Sequence, residues 1–141
     1  MADTLSNIEV GDAIPSYTTK PITRTTLALF AGASGDHNRI HIDIDFAKKA
    51  GMDDVFAQGM LPMAYLGRLL TDWVPQTAIR KFSCRFRSIT HLGDAITCSG
   101  EVTEKWDDNG ETLVKLALQA ADGTGDVKLA GEAVVALPTN T

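Results

Sequence analysis

The stretch Gly59-Met60-Leu61-Pro62-Met63-Ala64-Tyr65-Leu66-Gly67-Arg68-Leu69-Leu70 has a single charged residue and is apolar on nearly every side. Pro62 falls in its first turn, where a missing N–H is tolerated, so the stretch is predicted to be a helix. A helix that is apolar all round belongs inside a protein, and the rest of the chain must supply its walls. The second half does so with strands. Phe82, Cys84 and Phe86 alternate with Lys81, Ser83, Arg85 and Arg87, the period of two expected of a strand with one buried face. Residues 95–106 and 111–121 are two further strand-like runs, joined by Asp107-Asp108-Asn109-Gly110, whose Asn-Gly pair favours a tight hairpin turn. A Gly-containing turn at 122–126 leads into a fourth run, Val127 to Leu137. Four antiparallel strands that meander after an apolar helix can bury it most simply by curling around it. The expected class is α+β, one curved antiparallel sheet wrapped around a buried apolar helix.

The first half is mixed. After a short strand near Tyr17 to Lys20, Thr23-Arg24-Thr25-Thr26 offers capping chemistry ahead of Leu27, Leu29 and Phe30, predicting a helix near residues 23–32. Ser34-Gly35-Asp36-His37-Asn38 holds too many turn formers to continue it and reads as a loop. A short helix from Asp45 to Ala50 should end at Gly51. With 141 residues, 44% hydrophobic and 22% charged, the chain has the make-up of one folded domain over residues 1–141. The formal net charge of −5 argues against a nucleic-acid partner, which would call for a basic stripe. The opening MADTLSNIEV has neither a basic nor an apolar leader region, and no apolar run is long enough to span a membrane, so a cytoplasmic protein without a membrane partner is expected. Cys84 and Cys98 lack CxxC spacing and sit in apolar contexts, which favours buried free thiols over a disulfide.

Chemistry concentrates in residues 30–43, where ionisable and turn-forming side chains crowd one loop. A serine nucleophile elbow requires glycine two places after the serine, but Asp36 stands there after Ser34. His37 and His41 have an i, i+4 spacing, yet Asn38 replaces the glutamate of a helical zinc site and the Gly/Asn context opposes a helix, so no metal is expected. A carboxylate and an imidazole, Asp36 and His41, remain. They are suited to general acid–base work on one water, or, taken as isolated residues, to capping a turn and packing. Ser34 and Asn38 read equally as groups orienting that pair and as turn hydrogen-bonders.

The run Ser34-Gly35-Asp36-His37-Asn38-Arg39-Ile40-His41-Ile42-Asp43, followed by Ala57-Gln58-Gly59-Met60-Leu61, resembles the signature of MaoC-like hydratases, S-G-D-x-N-P-x-H-x-D and then A-H-G-M-L. Val10-Gly11-Asp12, Arg85-Phe86 and Leu92-Gly93-Asp94 extend the likeness over most of the chain. The resemblance implies a single hot dog domain and (R)-specific hydration of trans-2-enoyl thioesters, or the reverse dehydration. It also implies Asp36 and His41 as the catalytic pair and the Gly59 N–H as donor to the thioester carbonyl. Asn38, Gln58 and Met60 fall on motif positions expected to line the substrate, and Arg85, within the basic stripe Lys81, Arg85 and Arg87, is a candidate for the phosphates of an acyl-CoA or else part of a solvated strand face. No cofactor is implied. The expected partners are an acyl-CoA or acyl carrier protein thioester and a second copy of the chain in a homodimer. Two positions depart from the motif: Arg39 replaces proline, placing a charge near the expected pocket mouth, and Gln58 replaces histidine. A catalytically silent partner subunit and a thioesterase on the same fold are the competing functions.

Overall fold

In the computed structural model, which describes residues 5–138, Thr23 opens the helix that leads to the motif loop with a reciprocal pair of bonds. Its hydroxyl accepts from the Thr26 N–H at 3.2 Å, and the Thr26 hydroxyl accepts from the Thr23 N–H at 3.3 Å. Helix α1 runs Arg24–Ser34 and stops at Gly35, whose φ of 76° is left-handed and whose N–H reaches the Ala31 carbonyl at 3.1 Å. A 3₁₀ turn, Arg39–His41, leads to α2, Ile44–Lys49, and then to α3, Met60–Trp73. The strands are β1 Tyr17–Thr18, β2 Ile79–Phe86, β3 Thr97–Asp108, β4 Glu111–Ala121 and β5 Val127–Ala136. Positions 1–4 and 139–141 of the expected domain lie outside the described residues.

The strands form one antiparallel sheet in the order β1-β3-β4-β5-β2. Directly opposed residues share a face, so the rows Val102, Leu116, Ala133, Phe82 and Cys98, Ala120, Leu129, Phe86 line the same side. From Val102 to Ala133 and from Cys98 to Leu129 these rows are buried, and α3 lies against them with Leu61, Pro62, Leu66, Leu69 and Leu70 enclosed. Tyr17 ties β1 to the helix by donating to the Tyr65 carbonyl at 2.5 Å. A helix gripped by a curved antiparallel sheet is the hot dog arrangement implied by the motifs.

Three details differ from the sequence expectation. The meander comprises β3, β4 and β5 only. Asn109 and Gly110, with φ of 49° and 80°, make β3 and β4 neighbours, whereas the ten residues 87–96, which turn at His91–Asp94 without joining β2 to β3 as a hairpin, leave β2 at the far edge beside β5. Helix α3 extends past Leu70 to Trp73, helped by an Arg68–Asp72 pair at 3.3 Å, and ends before Pro75, which disfavours helix in the residue preceding it. Phe86 is 58% exposed rather than buried, because it is the last residue of β2, an edge strand. Cys98 is buried and Cys84 half-buried; both are free thiols, and burial pushes both up, Cys98 to about 11. Among the described residues no helix is long and apolar enough to cross a membrane.

Candidate active site

The loop after α1 is wound by its own short polar side chains. The Asp36 N–H donates to the Ser34 hydroxyl at 3.1 Å, the Asn38 N–H to Asp36 Oδ1 at 3.2 Å, and the Ile40 N–H to Asn38 Oδ1 at 3.2 Å. Each bond turns the chain by about one residue pair until the 3₁₀ turn delivers His41. Asp36 thereby keeps its second carboxylate oxygen, Oδ2, for the space in front of it. His41 is the buried member of the pair, with its side chain 11% exposed against 42% for Asp36. Its Nδ1 lies 2.7 Å from the Phe56 carbonyl oxygen, which can only accept, so Nδ1 carries the hydrogen. The Phe56 ring meets the imidazole edge-on, with centroids 5.1 Å apart. Nε2 is the ring nitrogen left outside that bond, and it faces Asp36 Oδ2 at 4.0 Å. That separation is too long for a direct bond, but an oxygen about 2.8 Å from each atom fits between them.

Asp36 opens onto an almost wholly apolar cavity of about 400 Å³ lined by Phe30, Met60, Met63, Ala64, Gly67 and Phe82. Met60, Met63, Ala64 and Gly67 recur at helical spacing on one face of α3. Gly59 is the N-cap of α3, so its N–H lies outside the helical ladder at the positive end of the dipole. Its φ of −58° needs no glycine. What needs glycine is Phe86: a Cβ at position 59 would stand 3.1 Å from that ring. On the far side of this contact a second crevice of about 320 Å³ runs past Gly59, Phe86, Arg87 and Thr90.

Residues 7–123 match the family described as MaoC like domain, which spans most of the chain and both motif segments. The chain belongs to this family. Among curated relatives it is 28% identical to the (R)-specific enoyl-CoA hydratase of Aeromonas caviae, with 94% of this chain and 97% of that one covered. It is 26% identical to a mitochondrial 3-hydroxyacyl-[acyl-carrier-protein] dehydratase of Arabidopsis thaliana, covering 93% and 78%. Among solved structures, the R-hydratase PhaJ1 from Pseudomonas aeruginosa superposes with a TM-score of 0.84 at 29% identity, covering 96% of this chain and 86% of that one.

Within this MaoC-like domain the expected site residues separate into two groups. Asp36 and Met60 line one cavity, His41 faces Asp36 at 4.0 Å, and Gly59, the neighbour of Met60 in the chain, lines the second crevice. Asn38 shapes the loop through its bond to Ile40. Gln58 does not line the cavity as expected: it is fully enclosed, and its Nε2 donates to the Leu27 carbonyl at 3.1 Å, so it ties the start of α3 to α1 from behind. Arg85 also lies elsewhere, in a separate groove of about 330 Å³ with Ser83, Ala130 and Glu132 on the edge of the sheet. The Arg39 charge turns away from the pocket, bonding Asp43 at 2.9 Å and lying 4.9 Å over the Phe46 ring, a tether where the family motif has a rigid proline. Phe56 was not legible as a site residue, because it acts through a carbonyl that every amino acid possesses.

Proposed function

We propose that this MaoC-like domain is an (R)-specific enoyl-thioester hydratase, acting on trans-2-enoyl-CoA and, in reverse, dehydrating (R)-3-hydroxyacyl-CoA. The observation that carries the reading is the facing of Asp36 Oδ2 and His41 Nε2 across a water-sized gap of 4.0 Å at the mouth of an apolar cavity. Water held between them adds its oxygen to C3 of the enoyl group while a proton reaches C2 from the same side. The pair needs one transferable proton between its facing atoms. Whichever group carries it delivers it to C2, the other receives the proton lost by water, and the two have exchanged protonation at the end of the turnover. Charge shifts onto the thioester oxygen during addition, and the free Gly59 N–H is the donor proposed for it, a role typically worth about 10²–10³ in rate. The apolar stripe of α3 takes the acyl chain. A second copy of the chain pairing along the unpaired edge of β2 would cover the exposed Phe86 beside this site.

Incubating the protein with crotonyl-CoA tests the reaction class. Loss of enone absorbance without release of thiol is the expected result. Rising free thiol would replace the hydratase by a thioesterase, and no change in either would indicate a silent subunit.

A further inference from the structure

We propose that Lys128 is a positioning residue for the reaction, holding the His41 ring and the Gly59 segment in register through the backbone of residues 87–91; the inference rests on the acid–base reading of Asp36 and His41. Lys128 lies on β5 and is only 2% exposed, at the bulge where Leu129 pairs with Ala120 and Val127 with Ala121. Its ammonium meets Asp126 at 2.9 Å, Asp122 at 3.3 Å and Asp94 at 3.5 Å. Burying such a cluster gains little stability over apolar packing, which directs attention to what else the ammonium holds. It donates to the Ile89 carbonyl at 2.9 Å, while the Lys128 carbonyl accepts from the N–H groups of Arg87 at 2.9 Å and Ser88 at 3.3 Å. Asp94 completes the clamp by accepting the His91 N–H at 2.8 Å.

The clamped segment bears directly on the site. The Thr90 carbonyl accepts the Ala57 N–H at 2.9 Å, and His91 pairs with Phe56 in an isolated antiparallel bridge. Phe56 is the residue whose carbonyl fixes Nδ1 of His41, and Ala57 stands two places before Gly59. From Lys128 Nζ to the imidazole the path therefore runs through Ile89, the bridge to Phe56, and one hydrogen bond. Loosening the ammonium frees residues 87–91 to shift, and the Phe56 carbonyl moves with them.

The test compares Lys128→Met and Lys128→Arg with the unaltered protein, reading crotonyl-CoA hydration, thermal unfolding and the nitrogen NMR signals of the His41 ring. In Lys128→Met kcat should fall about ten- to hundredfold, the loss typical of a displacement near 1 Å, with KM changed less than about twofold. The His41 signals should move towards those of a ring that has lost its Nδ1 acceptor. Lys128→Arg should restore most of the rate and the ring signals. A folded Lys128→Met protein with unaltered kcat or unaltered His41 signals overturns the proposal. If Lys128→Met does not fold, Asp126→Asn carries the same test, since it removes the carboxylate nearest the ammonium and takes charge from the acceptor of the Ser88 hydroxyl, loosening residues 87–91, while Asp94 and Asp122 keep the lysine paired and the protein folded; unchanged His41 signals in that variant overturn it equally. The ring signals require no turnover, so the relay is judged on them even if His41→Ala shows that the acid–base reading is wrong.

Discussion

Replacing Asp36 by Asn or His41 by Ala removes one end of the pair that faces across 4.0 Å. Each should lower kcat by about 10²–10⁴; Asp36→Asn should leave the thermal transition close to that of the parent, whereas His41→Ala also removes an enclosed ring and its bond to the Phe56 carbonyl and should lower it. The double variant should be scarcely slower than the slower single one, as both groups serve one water; independent, multiplying losses would refute a shared role. With Gly59→Ala as the control that brings the same Cβ against the Phe86 ring but keeps the N–H, Gly59→Pro deletes the proposed carbonyl donor at a position whose φ of −58° suits proline. Its kcat should fall about 10²–10³, more than its change in stability explains, and full activity in a folded variant would remove Gly59 from the mechanism. The candidate pair was legible only through the motif resemblance, since an isolated Asp and His in such a loop serve equally as a turn cap and a packing side chain. What surrounds it was not. The enclosure of Gln58, the tethering of Arg39 to Asp43, and the Phe56 carbonyl all depend on which backbone passes nearby, and spacing along one segment carries no record of that.

At the scale of elements, α3 and the β3–β4 hairpin could be read in advance because each is determined locally, by an unbroken apolar surface and by the Asn109-Gly110 turn. The placement of β2 could not, because the segment 87–96 is compatible with several crossings. That segment and the 122–126 turn meet at Lys128, and the turn makes stability depend on acid. Asp122 accepts from the Thr124 hydroxyl at 2.7 Å, the Thr124 N–H at 2.9 Å and the Asp126 N–H at 3.1 Å. The Thr124 hydroxyl, foremost among these and aided by Lys128, holds its carboxyl at about 2, below the ordinary 3.8. A group held low in the folded state stabilises above the unfolded value, and that contribution is lost as pH falls through the folded one. Urea midpoints should accordingly drop between about pH 4 and pH 2, and Asp122→Asn should be less stable at neutral pH with a shallower decline over that window. An unchanged decline would show that the turn is not the acid-sensitive element. The helix has its own test: Leu66, fully enclosed between α3 and the sheet, should cost about 2–5 kcal/mol on replacement by alanine, read from denaturant unfolding. A loss well under 1 kcal/mol would contradict its place in the core.

For the whole molecule, the sheet ends on one side in the two-residue strand β1 and on the other in β2, whose eight residues pair on one side only. A long unpaired edge with the exposed ring of Phe86 beside the cavity is a surface suited to a second copy. Sedimentation at micromolar concentration should give a dimer, and a monomer would contradict this assembly. The central claim is that Asp36, His41 and the Gly59 N–H address one face of an enoyl thioester. Chiral analysis of the product formed from crotonyl-CoA tests it most directly. The arrangement predicts (R)-3-hydroxybutyryl-CoA as the single enantiomer; the (S) product, or a racemate, would contradict it.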